Sequence, residues 1–415
     1  MGVNLRKIQI EPVILSNIAA MIDKFIQLKP TKEKSLQRFH PWIFSGAIKT
    51  HSNGLQEGDV VTVLNNKERI LGKAHYSLGS IAARMLSFEF ENINQDFWNS
   101  RITAAYNTRK NIGFIDKEGS DIFRLVHAEG DHLPGLIVDF YNGTAVVQCH
   151  SIGMHKSVTM ICDALLNCTN GMVKSIYDKS AETLPKEYSA TIENGYVHGE
   201  DVAKLEGSEY GNHFFVNWVT GQKTGFFIDQ RENRRLIGEY AKGKKVLNTF
   251  CYSGGFSIFA LTAGASQVDS LDSSQKAMDL VDENVAYYPE HAARHKSIKA
   301  DAMEFIKNLD DDYDIIILDP PAFAKHRDAR HKAVQGYKRL NARAIEQIKP
   351  GGIIFTFSCS QVVDKELFRH TIAAAAISAK RKIRILHQLH QPADHPINVF
   401  HPESEYLKGL AIQVD

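Results

Sequence analysis

Residues 244–264 read KKVLNTFCYSGGFSIFALTAG, and the pattern changes twice within them. A short strand-like run, KKVLNTF, reaches the glycine pair Gly254-Gly255, and FSIFALTAG then continues as a helix. A strand that runs through a glycine turn into a helix is the opening unit of an open α/β sheet. The same alternation repeats downstream. Strands VDSLD, SIKAD, IIILD and IIFTFS take turns with the helical stretches QKAMDLVDENVAYY and LNARAIEQI. Residues 206–415 are therefore expected to form a Rossmann-like α/β domain, a doubly wound parallel sheet with helices on both faces.

Upstream the rhythm differs. The short runs DVVTVLN, RILGKAHYS and IAARMLS, broken by Gly and Asn, predict a small β-barrel over residues 26–92. The helix DFWNSRITAAYNTRKNIG beside strands such as LIVDFYNGTAVVQCH predicts an α+β middle domain over residues 96–205. Residues 1–25 form an extension outside these patterns.

Composition excludes several functional classes. With 49 Lys+Arg against 48 Asp+Glu, the formal charge is +1, so nucleic acid would have to be bound by local patches. The 5 cysteines contain no CxxC pair, which argues against a disulfide framework or a metal site and for a reducing compartment. No apolar run is long enough to span a membrane, and the N-terminus lacks a signal-peptide core. The expectation is a soluble cytoplasmic protein with no metal and no membrane partner; a homodimer is compatible with the sequence.

In an open parallel sheet, ligands bind at the carboxyl ends of the strands. The turn after the first strand offers Phe250, Tyr252, Ser253, Gly254 and Gly255. It is not GxGxxG, which disfavours a pyrophosphate-binding loop. The second strand ends on Asp272 and Ser273, where a carboxylate can accept both ribose hydroxyls of a nucleoside. The third ends on Asp301, placed to accept from the exocyclic amine of adenine, and the fourth on Asp319. Any one of these acids alone has a second, less favoured reading as a solvated strand end or a helix cap. Together they describe a site for a nucleoside without phosphates, and S-adenosyl-L-methionine fits.

The resemblance goes further than a sheet. TGQKTGFFIDQRENR, NTFCYSGGFSI, LDPPAFAK, FTFSCS, PADHP and EYLKGLAI, with FHPWIFSGAI at residues 39–48, together resemble the large-subunit ribosomal RNA cytosine-5 methyltransferase family. The likeness covers the chain in order from about residue 30. It implies an N-terminal PUA domain, a middle domain and a class I catalytic domain using S-adenosyl-L-methionine, with 23S ribosomal RNA as the partner. It also implies that Gln230 and Arg231 lie against the cofactor, and that His395 of PADHP contacts substrate.

Carbon 5 of cytosine is a poor nucleophile until a thiolate adds to carbon 6, which is covalent catalysis. Cys359 ends the fifth strand, beside the fourth strand carrying Asp319, so both are expected to flank one pocket. Asp319 would hold the base, Pro320 would stiffen the loop and Phe323 would stack on an extruded base. Cysteine also serves as a small buried hydrophobe, and Cys251 is the competing thiol. In many RNA cytosine-5 methyltransferases a second cysteine follows a proline after the fourth strand, whereas here the step is Asp319-Pro320-Pro321-Ala322. Similar Asp-Pro-Pro-aromatic tetrads hold exocyclic amines in other methyltransferases, so amine or small-molecule methylation with a structural Cys359 is the rival chemistry. A catalytically dead RNA-binding module is a third reading, opposed by the intact acids and thiol. Lys325, Arg327, Arg330, Lys332, Lys338, Arg339 and Arg343 follow the Asp-Pro-Pro loop and are expected to meet RNA phosphates.

Overall fold

A computed structural model describes residues 24–200, 205–309, 312–324 and 326–415; the predicted N-terminal extension lies almost wholly outside them. Three large sheets and one two-stranded sheet carry the described residues. The first is six-stranded, with β1 (Phe25–Leu28), β2 (Trp42–Phe44), β3 (Ile48–His51), β4 (Val60–Leu64), β5 (Ile70–Tyr76) and β6 (Ile81–Ser87) in the order β2-β6-β5-β4-β1-β3. It closes over its own core, in which Ile26, Leu28, Val61, Val63 and Met85 are buried.

The second sheet begins after helix α1 (Gln95–Asn111), with β7 (Ile122–His127), β8 (Leu136–Tyr141) and β9 (Thr144–Cys149). The β8–β9 hairpin turns on Asn142 and Gly143, at φ 36° and 100°, the left-handed pair that a two-residue hairpin loop requires. Helices α2 (Ile152–Lys156) and α3 (Val158–Cys168) lead to β10 (Ser175–Asp178), and α4 (Lys186–Ser189) to β11 (Gly195–His198), giving the order β11-β10-β9-β8-β7. Cys149 and Cys162 are buried in this domain's core, as small apolar residues.

A hairpin of β12 (Leu205–Glu209) and β13 (Asn212–Val216) precedes the third sheet. That sheet interleaves α5 (Arg231–Ala241), β14 (Lys245–Thr249), α6 (Gly255–Thr262), β15 (Gln267–Asp272), α7 (Gln275–Ala286), β16 (His295–Lys299), α8 (Ala302–Phe305) and β17 (Ile315–Leu318). It continues through α9 (Arg330–Gln347), β18 (Ile353–Ser358), α10 (Lys365–Ala379), β19 (Ile383–His390) and β20 (Lys408–Val414). The order is β16-β15-β14-β17-β18-β20-β19. Strand β17 shows why helices cover both faces: Ile315 and Ile317 enter one core, and Ile316 and Leu318 the other.

Strands β14 to β18 pair in parallel as expected and β19 runs the same way, while β20 lies antiparallel between β18 and β19. Strand β20 returns from a long loop, not from a crossover helix, and enters from the opposite end. Among the described residues, no helix is long and apolar enough to cross a membrane.

Candidate active site

The strand order reverses between β14 and β17, and a cleft of about 700 Å³ opens there. Its floor is the turn after β14. Phe250, Tyr252 and Gly254 all sit in the left-handed region, at φ 55°, 47° and 77°. Two non-glycine residues held there signal a loop whose shape is imposed by its surroundings. Asp272, at the end of β15, supplies part of that: its carboxylate accepts from the backbone N–H of Tyr252 at 3.2 Å and of Ser274 at 3.0 Å. The Tyr252 hydroxyl donates to the Gly225 carbonyl and accepts from the Gln222 N–H, so the loop 217–225 is laid over the turn. From the middle domain, buried Lys179 donates to the carbonyls of Trp218 and Gly221 and fixes the same loop.

Phe250, Tyr252, Ser253, Gly255, Asp272, Ser273, Gln230, Asp319, Pro320 and Cys359 all line this one cleft. Gly254 shapes the turn from behind, with Val281 3.3 Å from where a Cβ would stand. Asp319 is half-buried, and Gln230 hydrogen-bonds its carboxylate. Burial, then the nearby Asp229 charge, push the Asp319 carboxyl up to about 7. Asp229 goes the other way. Burial works to raise it, but Lys223, His395 and the Tyr406 hydroxyl, 2.7 Å away, hold it below the ordinary carboxylate range. The Cys359 thiol is half-buried; burial and Asp319 push its pKa up, while Lys223 pulls it back. Behind it Lys408 donates to the carbonyls of Ser360 and Val363, and burial lowers its ammonium to about 8. Cys251 is buried and its thiol is pushed well up, first by burial and then by Asp272.

Residues 124–400 match the S-adenosylmethionine-dependent methyltransferase family, and residues 26–88 match a PUA-like domain. A "Ribosomal RNA large subunit methyltransferase I" of Shewanella denitrificans is 37% identical over 397 residues, covering 94% of this chain and 99% of the relative. One from Vibrio parahaemolyticus is 37% identical over 396 residues, with the same coverage. The chain belongs to the S-adenosylmethionine-dependent methyltransferase family. Two solved chains share its fold at 23% identity, each covering 94% of this chain and 99% of the other. They are a candidate methyltransferase complexed with SAH (TM-score 0.81) and a candidate methyltransferase from Streptococcus mutans (TM-score 0.78).

The cleft of this methyltransferase suits its cofactor. Asp229, Asp272, Asp279, Glu283 and Asp319 outnumber Lys223, Arg234 and Lys276 along its walls, matching a ligand with a sulfonium, an ammonium and ribose hydroxyls. Phe227 and Phe250 add apolar wall.

Several sequence assignments move. Arg231 is buried facing away: it pairs with Asp394 at 2.8 Å and donates to the Ile122 carbonyl. Asp229 and Gln230 of that segment reach the cleft, whereas Arg231 begins α5 on the side turned to the middle domain. Asp301 is exposed and caps α8, accepting from the Glu304 N–H at 3.0 Å. His395 is buried against Asp394, 2.9 Å away, and its ring lies 4.9 Å from that of His127. Phe323 packs on Tyr337 with ring centroids 4.6 Å apart and does not line the cleft. Lys325 lies outside the described residues; Arg330 is 3.7 Å from Asp364 and Arg343 is 2.9 Å from Glu346. Arg327 stands in a single 3-10 turn, Arg327–Ala329, ahead of α9. Lys332 and Arg339 remain exposed on α9. Sequence reasoning left Lys223, Asp229 and Lys408 out of the site. All three lie in stretches that carried the resemblance, but only the folded chain shows which face the cleft or the thiol.

Proposed function

We propose that this methyltransferase forms 5-methylcytosine in large-subunit ribosomal RNA, in the cytoplasm, with Cys359 as the covalent nucleophile. The observation that carries the reading is that Cys359 and Asp319 end neighbouring parallel strands and open into the cleft floored by the cofactor turn. The ribosomal substrate rests on the names of relatives that the chain matches over nearly their whole length, and on the PUA-like domain.

Bound along Phe250–Gly255 and Asp272, S-adenosylmethionine supplies an electrophilic methyl group. The Cys359 thiolate forms the S–C6 bond, and the ring electrons shift through C5 and C4 to N3, which takes the Asp319 proton. A carboxyl with its pKa near 7 carries that proton in an appreciable fraction of molecules at neutral pH. C5 is then an enamine carbon, nucleophilic enough to take a methyl from the bound cofactor, which would leave as S-adenosylhomocysteine. Water in the open cleft takes the C5 proton; the freed electrons re-form the C5–C6 double bond and expel the thiolate, and the N3 proton returns to Asp319. Lys223, whose charge acts on both Cys359 and Asp319, stabilises the thiolate between turnovers.

The rival chemistry, methylation of an exocyclic amine held by Asp319, draws support from the raised thiol pKa. Ribosomal RNA containing 5-fluorocytosine separates the two. The covalent reading expects a denaturation-resistant protein–RNA adduct with the wild type and none with Cys359→Ala. That variant falls to background methyl transfer yet still binds S-adenosylmethionine, while Cys251→Ala stays active. Wild-type rates from Cys359→Ala would pass the reaction to the amine.

A further inference from the structure

The six-stranded domain, the middle domain and the loop before β20 meet at residues remote in sequence. His40 comes from the segment before β2, Glu129 from the 3-10 turn Ala128–Asp131, and His401 and Glu403 from the C-terminal loop. The His401 ring is 2% exposed, and neither of its nitrogens has a hydrogen-bond partner. A buried imidazole left in that condition is costly, on the order of 1–3 kcal/mol for each unmatched group. What faces it is a carboxylate and a second imidazole. Glu403 Oε2 lies 3.6 Å from His401 Nε2 and 4.0 Å from His40 Nε2. One ligand atom from each of the three residues falls within 4.8 Å of the others.

The surroundings orient these groups. His40 Nδ1 accepts from the Trp42 N–H at 3.2 Å and lies 3.3 Å from the Trp42 carbonyl, and both contacts hold the ring with Nε2 toward the cluster. A cation on Nε2 would move the ring proton to Nδ1, where the Trp42 carbonyl can accept it, the usual support of a metal-bound imidazole. The Trp42 ring packs on His401 at 4.2 Å between centroids, and its Nε1–H donates to Glu129 Oε1 at 2.9 Å, so the indole is fixed against the His401 ring. Two imidazoles and one carboxylate form the donor set of a borderline divalent cation, with water completing a tetrahedron. Calcium and magnesium want six or more oxygens, which three side chains with two nitrogens do not offer.

We propose that His40, His401 and Glu403 bind a divalent transition-metal cation, of the zinc or cobalt type, that clamps the PUA-like domain to the loop leading into β20. The cation gives one of the two unmatched His401 nitrogens a partner and holds together segments 361 positions apart in the chain (401 − 40). It also departs from the expectation of no metal, which rested on cysteine spacing alone. A cluster assembled by the fold from residues this distant leaves no spacing motif to read.

The full-length protein, stripped with a chelator, is titrated with Co²⁺ and followed by visible absorption, then competed with Zn²⁺. One equivalent per chain with the intense bands of tetrahedral cobalt is expected. His401→Ala and Glu403→Gln should each weaken binding at least about tenfold, the scale of losing metal-site partners. His370→Ala, an exposed histidine on α10, should not. Zn²⁺ should raise the thermal midpoint of the wild type and not that of Glu403→Gln, which keeps the side-chain shape and guards against a folding artefact. Absence of the cobalt bands, or unweakened binding in Glu403→Gln, overturns the site.

Discussion

Two carboxylates share one wall of the cleft, and their environments separate them. Asp229 stays ionised beside Lys223 and Tyr406, so Asp319, desolvated next to that charge, is the one left holding a proton. The thiol has the opposite requirement: it must lose its proton, although burial and Asp319 raise its pKa. The reactive form, protonated Asp319 with Cys359 thiolate, therefore has the same proton count as the commoner form with both reversed. kcat/KM should rise as pH climbs through about 7, when the pair loses its first proton, and fall once the raised thiol titrates. Asp319→Asn should abolish the falling limb and leave a single alkaline rise; a profile unchanged by that substitution would remove Asp319 from proton transfer. At this scale the sequence showed Asp319, Cys359, Asp272 and the glycine turn, because each ends a strand and strand ends are legible. It misplaced Arg231 and His395, whose side chains turn away from the cleft for reasons of packing that no spacing records.

At the scale of elements, the loop 217–225 shows how a neighbouring domain shapes the cofactor side. Its backbone carbonyls at Trp218 and Gly221 accept from Lys179, a cation buried in the middle domain, and Gly225 sits at φ 108°. Lys179→Met removes both donors and leaves the Trp218 carbonyl buried, a loss of about 1–3 kcal/mol. Because Asn217, Gly221, Gln222 and Lys223 line the cleft, that loss should appear as a raised KM for S-adenosylmethionine with kcat little changed, measured by initial rates. A normal KM would mean the loop is shaped by Tyr252 alone. Regular elements were read well from sequence: β14 to β18 fall where alternating strand and helix patterns put them. The antiparallel β20 escaped, since its run KGLAIQV looks like any buried strand and direction is decided by the loop before it. The basic run after Asp319 reads as one patch in sequence, yet on α9 it is divided between exposed Lys332 and Arg339 and cations paired with Asp364 or Glu346.

Across the whole molecule, a buried ionic network ties the middle domain to the catalytic sheet. Arg124 pairs with Asp139 at 2.8 Å, and Arg109 pairs with Asp131; Arg109 also donates to the Asp394 carbonyl, while Thr224 donates to Asp139. Asp394 is the hub: its carboxylate takes Arg231 Nη2 at 2.8 Å, the Arg124 N–H at 2.9 Å and the His395 ring. Burial opposes its charge, yet Arg231 and His395 hold the carboxyl far below the ordinary range. Breaking one member of such a pair leaves an uncompensated buried charge, so Asp394→Asn should destabilise by about 3–5 kcal/mol. Glu346→Gln, which breaks the exposed pair with Arg343, should cost less than about 1 kcal/mol. The sign with pH follows from the depressed carboxyl. Its contribution is fully present above the unfolded value near 3.8 and is lost only as pH falls below it. The gap in thermal midpoint between wild type and Asp394→Asn should therefore stay constant from neutral pH down to about 4 and close only in stronger acid. A gap that closed between pH 7 and 5 would place the controlling titration on a histidine of the network, His127 or His395, rather than on the carboxylate that joins the domains.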